Sequence, residues 1–437
     1  MGQSDRVRES EVRFAERDGT FVAFTVFGTG PVDLIVAQSR FPIDLMWELP
    51  SLALFMQSLG RFARVIVFDS HGGASDGLRT LDASLWEHGL DQMLAVLDAA
   101  ESEQASILDT FGTAGPAFAA TYPDRVRSLV VANLRASYPE LQDLTDEQLR
   151  RLAIALRSSD HLRMEAPRLA HDPELQRWWG RAVRLVSSHE QLVRNMRWAA
   201  LTDYSAVLPS VRVPTLVMHR RENRIWDIET SRAAAKLIPG ARFVELPGSE
   251  NDLFLGDTSD VLDEIERFLA SPEVDVPQDR VLATVLFTDM VASTEQLAAQ
   301  GDAAWRRVLD DHDQTMNRIV NDYRGHVVKP TGDGILATFD GPARAVRCAQ
   351  ALLDAAQSQG ITLRVGLHTG EIEVRPSDLA GIAVHIANRI TTLANPSEIL
   401  ASRTVVDLTA GSGLQFEPRG EHQLKGVPGA WAIFAAV

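Results

Sequence analysis

Ala283–Met290 reads ATVLFTDM and Val328–Phe339 reads VKPTGDGILATF. The first is an unbroken apolar run that ends on a carboxylate, the pattern of a strand buried on both faces. The second is two short strand patterns folded about PTGDG, a turn built from proline and glycine. Between them Trp305, Val308, Leu309, His312, Met316, Ile319 and Tyr323 form one apolar stripe at helical spacing, with Gly325 as the expected stop. A helix over Pro342–Ala356 and a strand over Ile361–Leu367 complete β-α-β-β-α-β, a split-βαβ, ferredoxin-like α+β order. A further helix is expected over about Leu379–Leu393, followed by short strands.

Upstream, strands are expected at Val32–Ala37, Arg64–Asp69, Ser106–Phe111, Ser128–Asn133, Pro214–His219 and Arg242–Leu246. Helical patterns separate most of them, which predicts a parallel α/β sheet with covering helices. Between Asn133 and Val211 the strands stop. Residues from about Glu140 to Ala200 read as successive amphipathic helices carrying Trp178, Trp179 and Trp198. Such an insertion (about 136–208) is expected to act as a lid over the carboxyl ends of the strands. A helix around Val261–Ala270 closes this half. SPEVDVPQDR (Ser271–Arg280), with two prolines and no helical period, reads as a linker. The expected domains are residues 1–270 and 281–437, joined by 271–280.

Composition narrows the function. The 437 residues are 45% hydrophobic and 23% charged, enough to bury sizeable cores. Asp and Glu number 59 against 43 Lys and Arg, a formal charge of −16, which argues against coating nucleic acid or an anionic membrane. The one cysteine, Cys348, excludes an intramolecular disulfide and a cysteine zinc cage. No apolar run approaches the ~18 residues of a membrane span, and MGQSDRVRES lacks the apolar core of a signal peptide, so a cytoplasmic protein is expected.

Two carboxylates stand out, Asp289 at the end of its strand and Asp333 in the hairpin turn. On adjacent inner strands they would lie close enough to share two magnesium-type ions, since hard cations take carboxylate oxygen. Asp-Gly is also a common turn, and Asp after a strand often caps a helix, so either alone has a structural explanation. Asp378, His385 and Arg389 are spaced by seven and four, close to one helical face, although Gly381, a poor interior residue, allows Asp378 to precede the first turn. An exposed charged face explains that spacing equally well.

In order and separation, LFTDMVAST, VKPTGDGILATF, LRVGLHTG and DLAGIAVHIANRI together strongly resemble the catalytic domain of class III nucleotidyl cyclases. The resemblance spans about Val281–Val437. It implies that Asp289 and Asp333 bind two divalent cations, Mg2+ or Mn2+, with the Met290 carbonyl as an extra ligand. Lys329 and Asp378 match the pair that reads the purine, Arg389 the transition-state arginine, and Lys425, in QLKGVPG, a triphosphate-contacting lysine. A lysine donates to adenine N1 and an aspartate accepts from the 6-amino group, so this pair predicts ATP rather than GTP. His385 stands where an asparagine usually orients the ribose; it still donates a hydrogen bond, with a different reach and titration. The resemblance further implies a head-to-tail homodimer, each site drawing its metal aspartates from one subunit and its purine and arginine residues from the other.

Residues from about Val12 to Ala270 resemble an α/β-hydrolase through VIVFDSHGGASD, AFAATYPDRVRSLVV, VPTLVMHRRENR and ARFVELPGSENDLFLGD. Such enzymes carry serine on a G-x-S-x-G elbow, then an acid, then a histidine. Here the elbow reads DTFGT (Asp109–Thr113), with Phe111 at the serine position, and a two-residue shift supplies neither Ser nor Cys. The acid position is Asn223 and the histidine position Asn251. Phenylalanine cannot attack a carbonyl, and a neutral amide can neither take a proton nor stabilise an imidazolium. Thr110, Thr113 and Ser249 are lone hydroxyls, and His71 beside a glycine turn reads as structural. A pocket that binds a small apolar ligand without cleaving it is expected. The combined reading is an adenylate cyclase regulated by an inactive hydrolase-like domain. A ligand-binding regulatory protein with a weak or silent cyclase domain, and an unorthodox esterase, are the alternatives.

Overall fold

The computed structural model describes residues 11–37, 41–69, 84–110, 114–270, 280–293, 302–375 and 378–437. Two compact units are present, the first built mainly from residues before 279 and the second from residues 279–437.

The first unit is an eight-stranded sheet. Its strands are β1 (Arg13–Arg17), β2 (Thr20–Phe27), β3 (Val32–Ala37), β4 (Ala63–Phe68), β5 (Ala105–Asp109), β6 (Val126–Ala132), β7 (Thr215–Arg220) and β8 (Arg242–Leu246). They run in the order β1-β2-β4-β3-β5-β6-β7-β8, antiparallel from β1 to β4 and parallel beyond. The β1–β2 hairpin is absent from the sequence reading. Its Asp18-Gly19 turn has φ of 51° and 74°, the two-residue pattern that joins twisted strands. Charged Arg13, Glu16 and Arg17 on this edge mask the alternation.

Between β6 and β7 lie the helices Pro139–Gln142, Asp146–Ala155, Ser159–Glu165, Pro173–Leu185 and His189–Leu201. The last four each begin on a side-chain cap: Thr145, Ser158, Asp172 and Ser188 accept from backbone N–H groups of the first turn. These caps cut the segment into short helices, because each satisfies donors that a continuous helix would otherwise bond internally.

The second unit holds β9 (Arg280–Met290), β10 (His326–Pro330), β11 (Ile335–Phe339), β12 (Leu363–Arg375), β13 (Asp378–Ala380), β14 (Ile399–Ser402), β15 (Phe416–Gln423) and β16 (Ala430–Ala436). The sheet order is β10-β11-β9-β12-β14-β16-β15, with β13 paired to β12. Its first four strands have the order of a split-βαβ sheet. Helices Asp302–Asp322 and Pro342–Ser358 pack on one face through Met316 and Leu352, against Leu286, Ile335 and Val365. Helix Ile382–Leu393 covers the other face, where Ala383 and Ala387 meet Val285 and Phe287.

Two local expectations change. The long helix ends with Arg324, not Gly325, in the left-handed conformation (φ 58°), and Gly325 N–H closes onto the Val320 carbonyl at 2.8 Å. The helix expected from Leu379 starts at Ile382, because Asp378–Ala380 pairs with Glu373–Arg375 as a strand and Gly381 turns the chain at φ 117°. Asp378 therefore shares no helical face with His385 and Arg389.

His368 on β12 is 5% exposed, its Nδ1 lies 2.8 Å from the Ser402 hydroxyl, and its ring stands edge-on to Trp431. Burial pushes its pKa down to about 3. The folded state thus keeps His368 neutral while the unfolded chain takes up a proton near the ordinary histidine value. Its stabilising contribution is complete above about pH 6.5 and falls by about 1.4 kcal/mol per pH unit below it, until the folded pKa is reached. Urea unfolding between pH 7.5 and 5 is expected to show this slope, and His368→Gln should lower it by about one proton.

Candidate active site

β9 and β11 are antiparallel with Leu336 opposite Phe287, so continuing the register brings the turn before β11 alongside the end of β9. Gly334 makes that approach possible: a Cβ there would lie 1.9 Å from the Thr288 carbonyl oxygen. The Thr288 hydroxyl accepts from Ile335 N–H at 2.9 Å and fixes the turn. Asp289 and Asp333 are therefore carried to neighbouring strand ends, both half-buried. The Asp333 carboxylate accepts from the Ser293 hydroxyl at 2.5 Å, and Ala292 beside it sits at φ 58°, a strained setting for alanine. Across the other edge of β9, Arg364 is the register partner of Asp289, and its Nε donates to that carboxylate at 2.6 Å.

The donor set here is carboxylate and hydroxyl oxygen, which suits a hard divalent cation. The Met290 side chain is buried in the core, so only its carbonyl is of use as a ligand. Among the described residues no cluster of three or more His, Cys, Asp or Glu side chains forms a metal cage. That result is compatible with two carboxylates supplemented by backbone oxygen. Ser293 and Arg364 escaped the sequence reading. Arg364 is visible only once the β9–β12 register is known, and Ser293 only once the chain turns at Ala292.

A second group forms at β10 and β13. Lys329 Nζ donates to both Asp378 carboxylate oxygens at 2.6 Å. The Leu379 N–H donates to Asp378 at 2.7 Å. The lysine hydrogen bond, with that backbone donor, holds the Asp378 pKa below the usual carboxylate range, so the carboxylate stays anionic at neutral pH. Both side chains are more than two-fifths exposed, and a pair so exposed adds little to stability. A third group lies on the outer face of helix Ile382–Leu393, where His385 and Arg389 are both exposed one turn apart. Arg389 Nε donates to the carbonyl of exposed Lys425 at 3.2 Å, which ties the helix to the Gln423–Gly429 segment, itself anchored by buried Leu424 and Val427.

In the first unit, Phe111 of the elbow lies outside the described residues, as do Thr113 and His71. Asn223 follows β7 and Asn251 follows β8. Asn223 Nδ2 donates to Asn251 Oδ1 at 2.9 Å and to Asn133 Oδ1 at 3.2 Å. Asn251 Nδ2 in turn donates to buried Glu165 at 2.8 Å, and Glu165 also meets His161 Nε2 at 2.9 Å. Asn133 and Glu165 complete an amide-carboxylate network that periodicity could not reveal. Buried Arg220 braces the loop carrying Asn251, bonding the Leu253 and Asp257 carbonyls and pairing with Glu250 at 3.4 Å.

The adenylate and guanylate cyclase catalytic domain family matches residues 276–435. "Putative adenylate cyclase 3" of Rhizobium meliloti (strain 1021) is 31% identical over 157 residues, which cover 34% of this chain and 27% of that protein. The chain thus spans about a quarter of the length of that curated relative. The adenylyl cyclase CyaB from P. aeruginosa is 21% identical, with a TM-score of 0.35 over 36% of this chain and 94% of that one. MGS-M2, an alpha/beta hydrolase enzyme from a Medee basin deep-sea metagenome library, aligns with 60% of this chain and 99% of its own at 16% identity and a TM-score of 0.50. The C-terminal unit is therefore a class III adenylate and guanylate cyclase catalytic domain, and the N-terminal unit has the α/β-hydrolase fold.

Proposed function

We propose that this protein is an adenylate cyclase that converts ATP to 3′,5′-cyclic AMP and pyrophosphate. The observation that carries this reading is the Lys329–Asp378 pair, an anionic acceptor and a cationic donor held 2.6 Å apart on an exposed face. Adenine offers an acceptor at N1 and a donor at the 6-amino group, which complements that pair, whereas guanine offers the reverse. Divalent cations bound at Asp289 and Asp333, Mg2+ or Mn2+, would lower the pKa of the ribose 3′-hydroxyl and screen charge on the α-phosphate. The 3′-oxygen bonds to the α-phosphorus, the bond to the bridging oxygen breaks, pyrophosphate departs with that electron pair, and the hydroxyl proton passes to solvent. Arg389 supplies positive charge to the α-phosphate oxygens as they become more negative. His385 orients the ribose through a hydrogen bond, and Lys425 contacts the triphosphate.

The working enzyme in this proposal is a head-to-tail homodimer, and residues 1–270 form a regulatory domain joined through 271–280. The Asn223–Asn251 contact supports a regulatory rather than hydrolytic role, because amides at the acid and histidine positions cannot move protons. Among the described residues no helix is long and apolar enough to cross a membrane.

The test is incubation of the purified chain with ATP or GTP and magnesium or manganese, with cyclic nucleotide and pyrophosphate measured. Cyclic AMP is expected to dominate. Asp378→Ala should lower the preference for ATP over GTP by about 10- to 100-fold, the usual effect of leaving one polar partner unpaired. An unchanged ratio would remove Asp378 from purine recognition.

A further inference from the structure

We propose that Ser293 is a positioning residue of the cation site: its hydroxyl holds the Asp333 carboxylate in the orientation that receives a divalent cation. Ser293 has this part only if Asp333 is a cation ligand, as proposed above.

The backbone is bent to deliver that hydroxyl. β9 lies between β11 and β12, and its last residue, Met290, is in register with Leu363 of β12. Val291 keeps to the β12 side, its N–H donating to the Thr362 carbonyl at 2.8 Å. Ala292 then takes φ 58°, a conformation alanine rarely adopts because its Cβ crowds the following carbonyl. The turn carries Ser293 across to the β11 side, where its Oγ donates to Asp333 Oδ2 at 2.5 Å. That length falls in the range of a charge-assisted bond from a hydroxyl to a carboxylate. A strained residue other than glycine marks a geometry that its surroundings impose, and such residues gather at functional sites.

Asp333 needs such a tether. It stands between Gly332 and Gly334, so neither neighbour in the turn has a side chain to restrain it. The torsion that turns an aspartate carboxylate is soft, with broad and roughly two-fold wells. One donor on Oδ2 fixes the plane of the group and leaves Oδ1 for coordination. Among the described residues no other side-chain donor reaches this carboxylate. The donor is also neutral. Asp289 already shares its charge with the cationic Arg364. A lysine or arginine in place of Ser293 would bring the two carboxylates and their two donors to zero net charge, and a hard cation would lose its attraction. A hydroxyl orients Asp333 and leaves its negative charge whole.

The test is Mn2+ titration of the full chain without nucleotide, read from the paramagnetic resonance of free Mn2+. Ser293→Ala is expected to bind Mn2+ about tenfold more weakly than the unsubstituted chain, the effect of removing an outer partner of a metal ligand. Ser293→Thr keeps the hydroxyl and should stay within about threefold. Melting in EDTA should be unchanged in both, which separates positioning from a part in folding. Asp333→Ala, which removes the ligand itself, should bind more weakly than either. Mn2+ affinity that survives Ser293→Ala but falls in Asp333→Ala would overturn the role of Ser293 and leave the cation site standing. Equal losses in Ser293→Ala and Ser293→Thr, or a loss matched by a lower metal-free melting temperature, would overturn that role as well. No saturable Mn2+ binding by the unsubstituted chain, or binding untouched by Asp333→Ala, would overturn the cation site and the role of Ser293 with it.

Discussion

Asp333→Ala is expected to reduce cyclic nucleotide formation by about a thousandfold or more, because a two-ion site that loses one carboxylate loses its grip on the attacking and leaving oxygens. The fold should survive. Asp333 sits in a turn whose shape comes from Gly332 at φ 102°, from the Gly334 approach to Thr288, and from the Thr331 N–H bond to the Gly334 carbonyl. None of these uses the Asp333 side chain, whose hydrogen bond runs to Ser293. Asp289→Ala should be equally inactive, and it leaves Arg364 without its partner at a position about one-third exposed. An exposed charge of that kind costs within about 1 kcal/mol. Activity within tenfold of the unsubstituted protein, in a variant whose melting curve is unchanged, would remove the two carboxylates from the metal site. Loss of activity together with loss of cooperative unfolding would point instead to a structural part in the strand end.

Mixing Asp289→Ala chains with Arg389→Ala chains should restore activity that neither has alone. In a head-to-tail dimer one heterodimer site receives both defects and the other receives neither. With free exchange half of the dimers are mixed, so recovery should reach about a quarter of the unsubstituted rate. The contacts within one chain are consistent with this division. Asp289 and Asp333 engage Arg364 and Ser293, while Lys329 pairs with Asp378 and Arg389 with the Lys425 carbonyl. Lys329 and Asp333 are four residues apart yet belong to different hydrogen-bonded groups. The readout is cyclic nucleotide yield against mixing ratio, with subunit exchange verified by mass. A mixture that exchanges and stays inactive would mean that one chain supplies the whole site, or that these residues have been assigned wrongly.

Chain order made much of the fold legible. The apolar run ending at Asp289 is a strand, Val32–Ala37 and Arg242–Leu246 have the bounds that their β-branched patterns suggest, and the six-element order of the second unit appears in its sheet. These features follow from near neighbours in sequence: alternation, capping groups and turn residues. The β1–β2 hairpin shows the limit of reading periodicity on a charged edge, even with Asp18-Gly19 in plain view. The helix placed over Leu379–Leu393 shows another. A spacing of seven and four placed Asp378, His385 and Arg389 near one helical face, while Gly381 allowed Asp378 to precede the helix; the strand pairing of Asp378–Ala380 with Glu373–Arg375 decides for the second.

It was the resemblance of the motifs to a known family that singled out Asp289, Asp333, Lys329, Asp378 and Arg389 as a candidate set; spacing alone explained them equally well as turn, cap and exposed-face residues. Their partners were not predictable in this way. Arg364 reaches Asp289 because two strands align in one register, Lys329 meets Asp378 across 49 positions, and Asn133 meets Asn251 across 118. Such contacts depend on how sheets stack and loops close, and local propensity carries no information about either. The amide network at Asn223 and Asn251 illustrates the division: the two amides are written in the chain, but the bonds between them form only when three loops and a helix from the insertion converge.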